Sequence, residues 1–548
     1  MNTWVQNYNP LGNAWLSTLI AALPVTVLFY LLAVRKIVAH WAALWAFFLA
    51  VALAVVVFGM PPVMVTAAVG HGVVFGIVRI AWTLLCAVFV YEVAVETGHF
   101  AVIKESIGAV TDDRRLQVLL IAFAFGAVLE GAGGGGAPVA ICGAMMVGLG
   151  FNPFAAAVLC LIANTSPVAY GGVGNPIRTL VAVTGLPEAD LSGMVGRILP
   201  WTALLLPFWL VRSMTTTRET LKVWPGLVAC GVTFATVQFY WSNYRDAALV
   251  DIMGGMATLL VLTLFFKVWQ PGTIWRYPGE PGVGDLHRHQ HTTRQVLHAW
   301  TPFLLLAVFV ILWGMPSIKN SLDTVTSRIP VPGLHLLVVR EPPVVAKTQA
   351  EPAVFELAWL SAIGTATFFA GLIAGPLLGL SVAGTLRVFL RTCYRMRYSM
   401  VAILAMLGLG FITRYSGMDA TLGLAMTNTG VLFPFFGTLL GWLGVALTGT
   451  DAGSNALFGS LQVITANQLG LSPVLMAAAN SAGGVMGKMI DAQSIIVACA
   501  ATGQEGREGD LFRAVLVHSI VLAAIVGLIV TAYAYLVPQW IPSGHSFR

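Results

Sequence analysis

Two apolar runs, Leu116–Leu129 and Val139–Val147, are joined by a stretch in which Glu130 is followed by Gly131, Ala132 and four consecutive glycines, Gly133 to Gly136. The composition of Phe125–Pro138 predicts a helix broken inside apolar surroundings. In hydrocarbon such a break leaves N–H and C=O groups without partners, and it survives only where it is buried in protein or lines a wet cavity. An ionisable side chain at that depth costs a further roughly 2.5–3.5 kcal/mol. The coincidence of both costs points to a substrate or proton site of a transporter. The blander reading is a glycine-rich helix contact with Glu130 at the water interface. The glycine run is not a nucleotide loop, because no Gly-Lys-Ser/Thr follows it and no βα unit surrounds it.

Of 548 residues, 58% are hydrophobic and 9% charged, against roughly a quarter charged in soluble domains. The fold class expected is an all-α polytopic membrane protein with the lipid bilayer as its solvent and about 11–14 membrane segments, some of them broken helices or re-entrant hairpins. The first apolar segment, Ala14–Val34, lacks a basic leader and a small-residue cleavage site and reads as a retained helix. The six cysteines show no metal-ligand spacing and read as small packing residues. No metal, cofactor or enzyme active site is expected, since no nucleophile–base pair or metal cluster stands in register with the break. The net charge of +6 is accounted for by orientation signals at helix ends and calls for no nucleic acid.

Basic residues thread the chain. Arg35 and Lys36, the 99–115 segment with Lys104, Arg114 and Arg115, the loop with Arg212, Arg218 and Lys222, the cluster Arg387, Arg391, Arg395 and Arg397, and Gly503–Arg513 are expected in the cytoplasm. Both termini, Pro61–Val65 and Ser242–Val250 then fall outside. The domain plan is N-terminal helices (1–62), a first repeat (63–200), linking helices (201–380) with a cytoplasmic loop 270–298 and an external loop 317–353, a second repeat (381–500) and a C-terminal helix (501–548). Gly282–Asp285 matches the Gly-x-Gly-Asp of intramembrane proteases but lies in a hydrophilic loop. The neighbouring histidines 287, 289, 291 and 298 read as solvated.

The broken stretch occurs twice. Thr97-Gly98 recurs as Ser416-Gly417, Glu130 is answered by Asp451, Leu149-Gly-Phe-Asn-Pro153 by Leu469-Gly-Leu-Ser-Pro473, and Ala163-Asn-Thr165 by Ala479-Asn-Ser481, all at offsets near 320. Basic residues follow Gly98 in the first copy but precede the helix ending at Gly417 in the second, so equivalent ends face opposite sides. That is the pattern of an inverted-topology repeat with a binding site near the midplane.

Half-helix N-termini carry free N–H groups and partial positive charge, and favour anions. Segments starting at Ala137 and Ser454 are expected to supply them, with Gly134, Gly135 and Gly136 admitting a small ligand to the backbone. Asn164, Thr165, Ser454, Asn455, Asn480 and Ser481 offer neutral hydrogen bonds. The predicted ligand is small and carries a carboxylate. Glu130 and Asp451 cannot both stay charged beside an anion in low dielectric, so at least one takes up a proton. Sodium held by unwound carbonyls and Asp451 is the rival coupling ion. Lys488 and Arg414 are candidate counter-charges for the substrate, or else snorkelling end residues. His71 and His518 read as packing residues before proton relays.

Leu129-Glu-Gly-Ala-Gly-Gly-Gly-Gly-Ala-Pro-Val-Ala140, Asn164-Thr-Ser-Pro-Val-Ala169, Gly449-Thr-Asp-Ala-Gly-Ser-Asn-Ala-Leu-Phe458, Gly483-Gly-Val-Met-Gly-Lys488 and the opening Trp4-Val-Gln-Asn-Tyr-Asn-Pro-Leu-Gly-Asn13 carry a specific resemblance. Along essentially its whole length the chain resembles the L-lactate permease family. The resemblance implies an inner-membrane symporter moving L-lactate, D-lactate or glycolate with a proton, and kinship with elevator-type transporters. A sodium-coupled monocarboxylate carrier and a passive small-anion channel are the alternatives. The chain departs from the family pattern near Gly135, where a phenylalanine is usual, at Asp491-Ala492, where Ser-Pro is usual, and at Asn175, which replaces an apolar residue. These differences bear on the choice of hydroxy acid, since loss of a phenylalanine enlarges a pocket.

Overall fold

The computed structural model describes residues 3–31, 35, 37–134, 137–277, 291–345, 347–504 and 506–544. Gly135 and Gly136, the Gly282–Asp285 motif and histidines 287 and 289 lie outside them.

Among the described residues, seven helices are long and apolar enough to cross a membrane, or ten if each of three bent helix pairs counts as one span. Four shorter apolar helices, Ala14–Leu28, His40–Val56, Pro138–Gly148 and Ile363–Leu377, bring the tally into the expected range. The span expected from Gly76 starts earlier: Pro62 opens a continuous 35-residue helix to Glu96. Proline at a first turn lacks only an N–H that has no helical partner there, so Pro62 starts the helix instead of interrupting it.

The same local chemistry recurs 320 positions apart. Pro62–Glu96 is answered by Val382–Ser416, both 35 residues long, and both stop at a glycine in the left-handed region, Gly98 at φ 74° and Gly417 at φ 86°. Asn152 caps a helix that opens with Pro153, its side chain accepting from Ala155 N. Ser472 caps a helix that opens with Pro473, accepting from Leu475 N. Gly150 and Gly470, at φ 98° and 66°, turn the chain into these caps. Glu188–Met214 and Glu508–Tyr535 complete the series.

The paired long helices pack antiparallel. Glu92 and Glu96 meet Arg395 and Arg391 at one end of the first pair, with 2.5 Å from Arg395 Nη1 to Glu92 Oε1, while His71 stacks edge-on against Phe411 at 4.9 Å at the other. Gly72 and Gly76, a turn apart, form the groove between them. A Cβ on Gly76 would lie 2.8 Å from Leu404 and 3.0 Å from Leu407. In the second pair Tyr533 donates to Arg197 O at 2.9 Å and Trp209 Nε1 to His518 Nδ1 at 2.9 Å.

Two groups of connections lie at opposite ends of the first pair. Near Glu96, buried Arg115 holds Asp113 at 2.6 Å, Glu219 at 3.0 Å and Thr273 O at 2.8 Å, and His291 meets Glu105 at 2.7 Å. Near Arg414, the 317–353 stretch, expected only as a polar loop, forms small sheets. Ser327–Pro330 pairs antiparallel with Val354–Leu357, and the N-terminal Trp4–Val5 adds parallel to Val338–Val339. Gln6 Nε2 donates to Arg414 O and Tyr415 O at 2.9 Å, capping carbonyls that a helix end leaves without partners.

Candidate functional site

The first break falls at Gly134 (φ 60°, ψ −162°), after the Arg114–Gly133 helix, and Ala137–Gly148 resumes beyond it. Only glycine adopts such backbone cheaply. The second break falls at Gly449 (φ 76°), and the helix after it starts at Asp451, not at Ser454 as expected. Thr450 supplies the cap, its hydroxyl accepting from Gly453 N at 3.0 Å, and so fixes the start three residues earlier. The two acids therefore occupy unlike places. Glu130 lies near the C-terminal, negative end of its half-helix and Asp451 in the first turn of its own, where the dipole favours an anion.

A second interruption follows each break. Pro153–Ala163 and Val168–Thr184 meet at 61°, and Pro473–Ile490 and Gln493–Thr502 at 41°. Within the former, Gly172, Val173 and Gly174 have φ of 53°, 60° and 75°. A left-handed valine costs of the order of 1–3 kcal/mol and persists only where surroundings enforce it. Arg178 does so in part, donating from Nη1 to Val173 O at 2.5 Å and from Nη2 to Asp246 at 3.0 Å.

In the second copy most of the candidate polar groups are joined in one network, though Asp451 Oδ1 has no hydrogen-bond partner among the described residues. Ser481 Oγ donates to Asp451 Oδ2, and Asn455 Nδ2 lies 3.4 Å from the same oxygen and 3.1 Å from Pro176 O. Asn480 Nδ2 reaches Asn455 Oδ1 at 2.9 Å and Ser454 Oγ at 3.3 Å, and Ser454 Oγ donates to Gly441 O at 3.0 Å. Lys488 Nζ donates to Gly449 O at 2.7 Å and pairs with Asp491 at 3.2 Å. Its charge acts on both Glu130 and Asp451, so the two breaks meet around it. The first copy is different. The Thr165 hydroxyl bonds Ile162 O within its own turn, while the Asn164 amide stands within hydrogen-bonding reach of Glu130.

Arg414 is not brought to the breaks. Its guanidinium grips Glu351 Oε1 at 2.5 and 3.0 Å and the carbonyls of Ala182 and Val183. Burial alone would raise the Glu351 carboxyl, but the charges of Arg414 and Arg340 outweigh it and hold it below the ordinary glutamate value.

Two cavities open on opposite sides of the same three helices. One of about 350 Å³ touches Gly133 and Gly134 of the first break and Thr448, Thr450 and Gly453 of the second, and has Glu92, Arg395 and Tyr398 on its walls. The other, of about 1000 Å³, lies beneath the small sheets and is lined by Arg79, Arg178, Glu188 and Arg414. Ile80 and Leu407, on the two long helices that both cavities share, form an apolar cluster with Ala456 of the Asp451–Gln468 helix, packed with Phe75 and Ile403. Of the described candidates only Gly134 lines the smaller cavity. Glu130, Asp451 and the hydroxyl and amide groups are buried behind its wall.

Sequence reasoning missed Thr450, Arg178 and Asp251. Asp251, fully buried on Val250–Val268, packs on Gly131: a Cβ there would lie 2.9 Å from Asp251 Cβ. It carries the same signal as Glu130, a lone acid beside an apolar run, but it borders the polar 242–250 stretch expected outside.

Paired helix breaks facing one cavity, in a chain of many apolar helices, define a polytopic membrane transporter. The L-lactate permease family profile matches residues 17–537, and the chain belongs to that family. It is 45% identical to the L-lactate permease of Escherichia coli K12 over 99% of this chain and all of that one. It is 43% identical to the glycolate permease GlcA of the same strain over 98% and 99%, and 40% identical to the Bacillus subtilis L-lactate permease over 96% and 97%. Among solved structures it resembles the Alcanivorax borkumensis YdaH transporter with a TM-score of 0.44 and 14% identity over 86% of each chain. The chain is thus a permease, not an enzyme, and a multi-pass protein of the inner membrane.

Proposed function

We propose that the protein takes up small 2-hydroxymonocarboxylates, L-lactate, D-lactate or glycolate, in symport with protons. The observation that carries this reading is the 350 Å³ cavity touching both breaks. It is small enough for a three-carbon acid and bordered by the start of the Asp451–Gln468 helix, whose N–H groups suit a carboxylate. The printed names of the relatives, lactate and glycolate permeases, support the substrate class. Glu130 and Asp451, buried on either side of Lys488, support coupling to a proton, because a single ammonium does not compensate two carboxylates and an incoming anion. The antiparallel partners at offset 320 support an inverted repeat that exchanges inward- and outward-facing states.

The test is uptake of labelled L-lactate into proteoliposomes holding the full chain. Accumulation that follows an imposed pH gradient, saturates and shows counterflow is expected. Uptake that ignores the pH gradient refutes proton coupling, and flux without saturation or counterflow indicates a channel.

A further inference from the structure

Proton symport needs a group that binds and releases a proton within the transport cycle, and Asp451 is poorly suited to it. Its Oδ2 accepts from Ser481 and Asn455 and it stands at a helix N-terminus, contacts that stabilise a carboxylate, although its Oδ1 has no hydrogen-bond partner among the described residues. The structure assigns the task elsewhere. We propose that Asp251 and Glu130 together form the proton-carrying carboxyl pair of this permease, with Asp451 organising the second break.

This rests on the reading of the protein as a proton-coupled carrier. Asp251 is completely buried, and neither of its carboxyl oxygens has a hydrogen-bond partner among the described residues. Glu130 Oε2 is likewise without one. The backbones carrying the two acids are in contact, since Gly131, the residue after Glu130, packs against Asp251 and Ile252 N, and the Asp251 carboxyl lies in the field of Glu130. Two carboxyls sharing a buried site do not both ionise, and an isolated buried carboxylate without a donor costs several kcal/mol. At least one proton therefore resides on the pair in this state.

Among the described residues no cation pairs with Asp251, and the one that acts on Glu130, Lys488, is shared with Asp491. Besides Glu130, Tyr170 acts on Asp251, but its hydroxyl is committed to Ser192 O at 2.7 Å. The buried face of Trp224–Tyr244, packed along the Asp251 helix, carries amides, a serine hydroxyl and the Cys230 thiol but no charge. Lys488 and Asp491 face Glu130 from its other side, and Lys488 is held by Gly449 O and Asp491. Asn164, whose amide stands within hydrogen-bonding reach of Glu130, can accept from the protonated acid or donate to the ionised one. The pair thus has a partner that serves either protonation state. Binding an anion next to Lys488 would compete with Glu130 for that charge and favour proton uptake by the pair, and release of the anion would reverse it.

The experiment compares wild type, Asp251→Asn and Asp251→Glu in proteoliposomes by two readouts: accumulation of labelled L-lactate driven by a pH gradient, and lactate counterflow at equal pH, which needs no net proton movement. Asp251→Asn is expected to lose driven accumulation by at least about tenfold while keeping counterflow within about threefold, and Asp251→Glu, which retains a titrating group, to recover driven accumulation. Asp251→Asn that accumulates lactate like wild type overturns the assignment, as does loss of both readouts in Asp251→Asn and Asp251→Glu alike, which marks a packing role. Wild type that shows counterflow but answers only to a sodium gradient refutes the proton reading itself, and the pair with it. A wild-type response to the pH gradient with an equal response in Asp251→Asn refutes the pair alone.

Discussion

Asn455 donates to the carbonyl oxygen of Pro176 at 3.1 Å, fastening the helix after the second break to the interrupted backbone of the first repeat. The same amide group lies 3.4 Å from Asp451, and its oxygen accepts from Asn480 at 2.9 Å, so one side chain joins two others and a backbone carbonyl in the fully buried heart of the molecule. Removing it strands several polar atoms, each at a cost of about 1–3 kcal/mol. Asn455→Ala is expected to lower the melting temperature of the purified protein and reduce lactate uptake by at least about tenfold. Wild-type melting and uptake would show that the bridge is dispensable.

The unlike settings of the two acids lead to unlike phenotypes. Glu130→Gln is expected to lose pH-driven accumulation yet keep counterflow, because a neutral amide replaces a protonated carboxyl with little change in shape. Asp451→Asn removes the acceptor shared by Ser481 and Asn455 and is expected to lose counterflow as well. Measuring both activities at equal membrane levels separates the two.

Two glycines make room for these acids. A Cβ on Gly171 would stand 2.7 Å from Glu130 Oε1, and one on Gly484 would stand 2.4 Å from Asp451 Oδ1. Either methyl forces a buried carboxyl to move. Gly171→Ala and Gly484→Ala are each expected to cut initial uptake by about tenfold or more, whereas Gly148→Ala, where a Cβ meets nothing within 4 Å, is expected to transport normally.

Lys488, a sequence candidate for binding substrate, spends its ammonium on Gly449 O and Asp491. Lys488→Gln leaves the buried Asp491 carboxylate uncompensated and is expected to destabilise the protein by about 3–5 kcal/mol. The double variant Lys488→Gln with Asp491→Asn removes both charges and should regain much of that stability. A double-mutant cycle by thermal unfolding measures the coupling.

The clasp between Arg414 and Glu351 predicts a pH dependence. Glu351 is held below its unfolded value, so its contribution is fully present above the ordinary glutamate pKa and is lost as pH falls through the lowered folded value. Thermal unfolding from neutral to acid pH should show this acid-side loss of stability, reduced in Glu351→Gln. Arg414→Ala, which leaves Glu351 paired with Arg340 alone at 3.3 Å, should cost about 1.5–3 kcal/mol at neutral pH.

The interrupted spans and their recurrence near 320 positions were legible in the sequence because breaks, caps and left-handed glycines are matters of local chemistry. Asn152-Pro153 and Ser472-Pro473 announce a helix start wherever they stand, and Gly98 and Gly417 announce an end. Broad polarity likewise marked Glu130 and Asp451 as costly in lipid. Which carboxyl is neutralised by its neighbours, and which is left to another acid, depends on helices far apart in the chain. Only packing brings Ser481 to Asp451, sets Asp251 against the turn that carries Glu130, and draws Arg414 away to Glu351. The sequence determined where the backbone breaks; the tertiary structure decided what each break faces, because the field at a buried charge is made by groups that no local pattern connects.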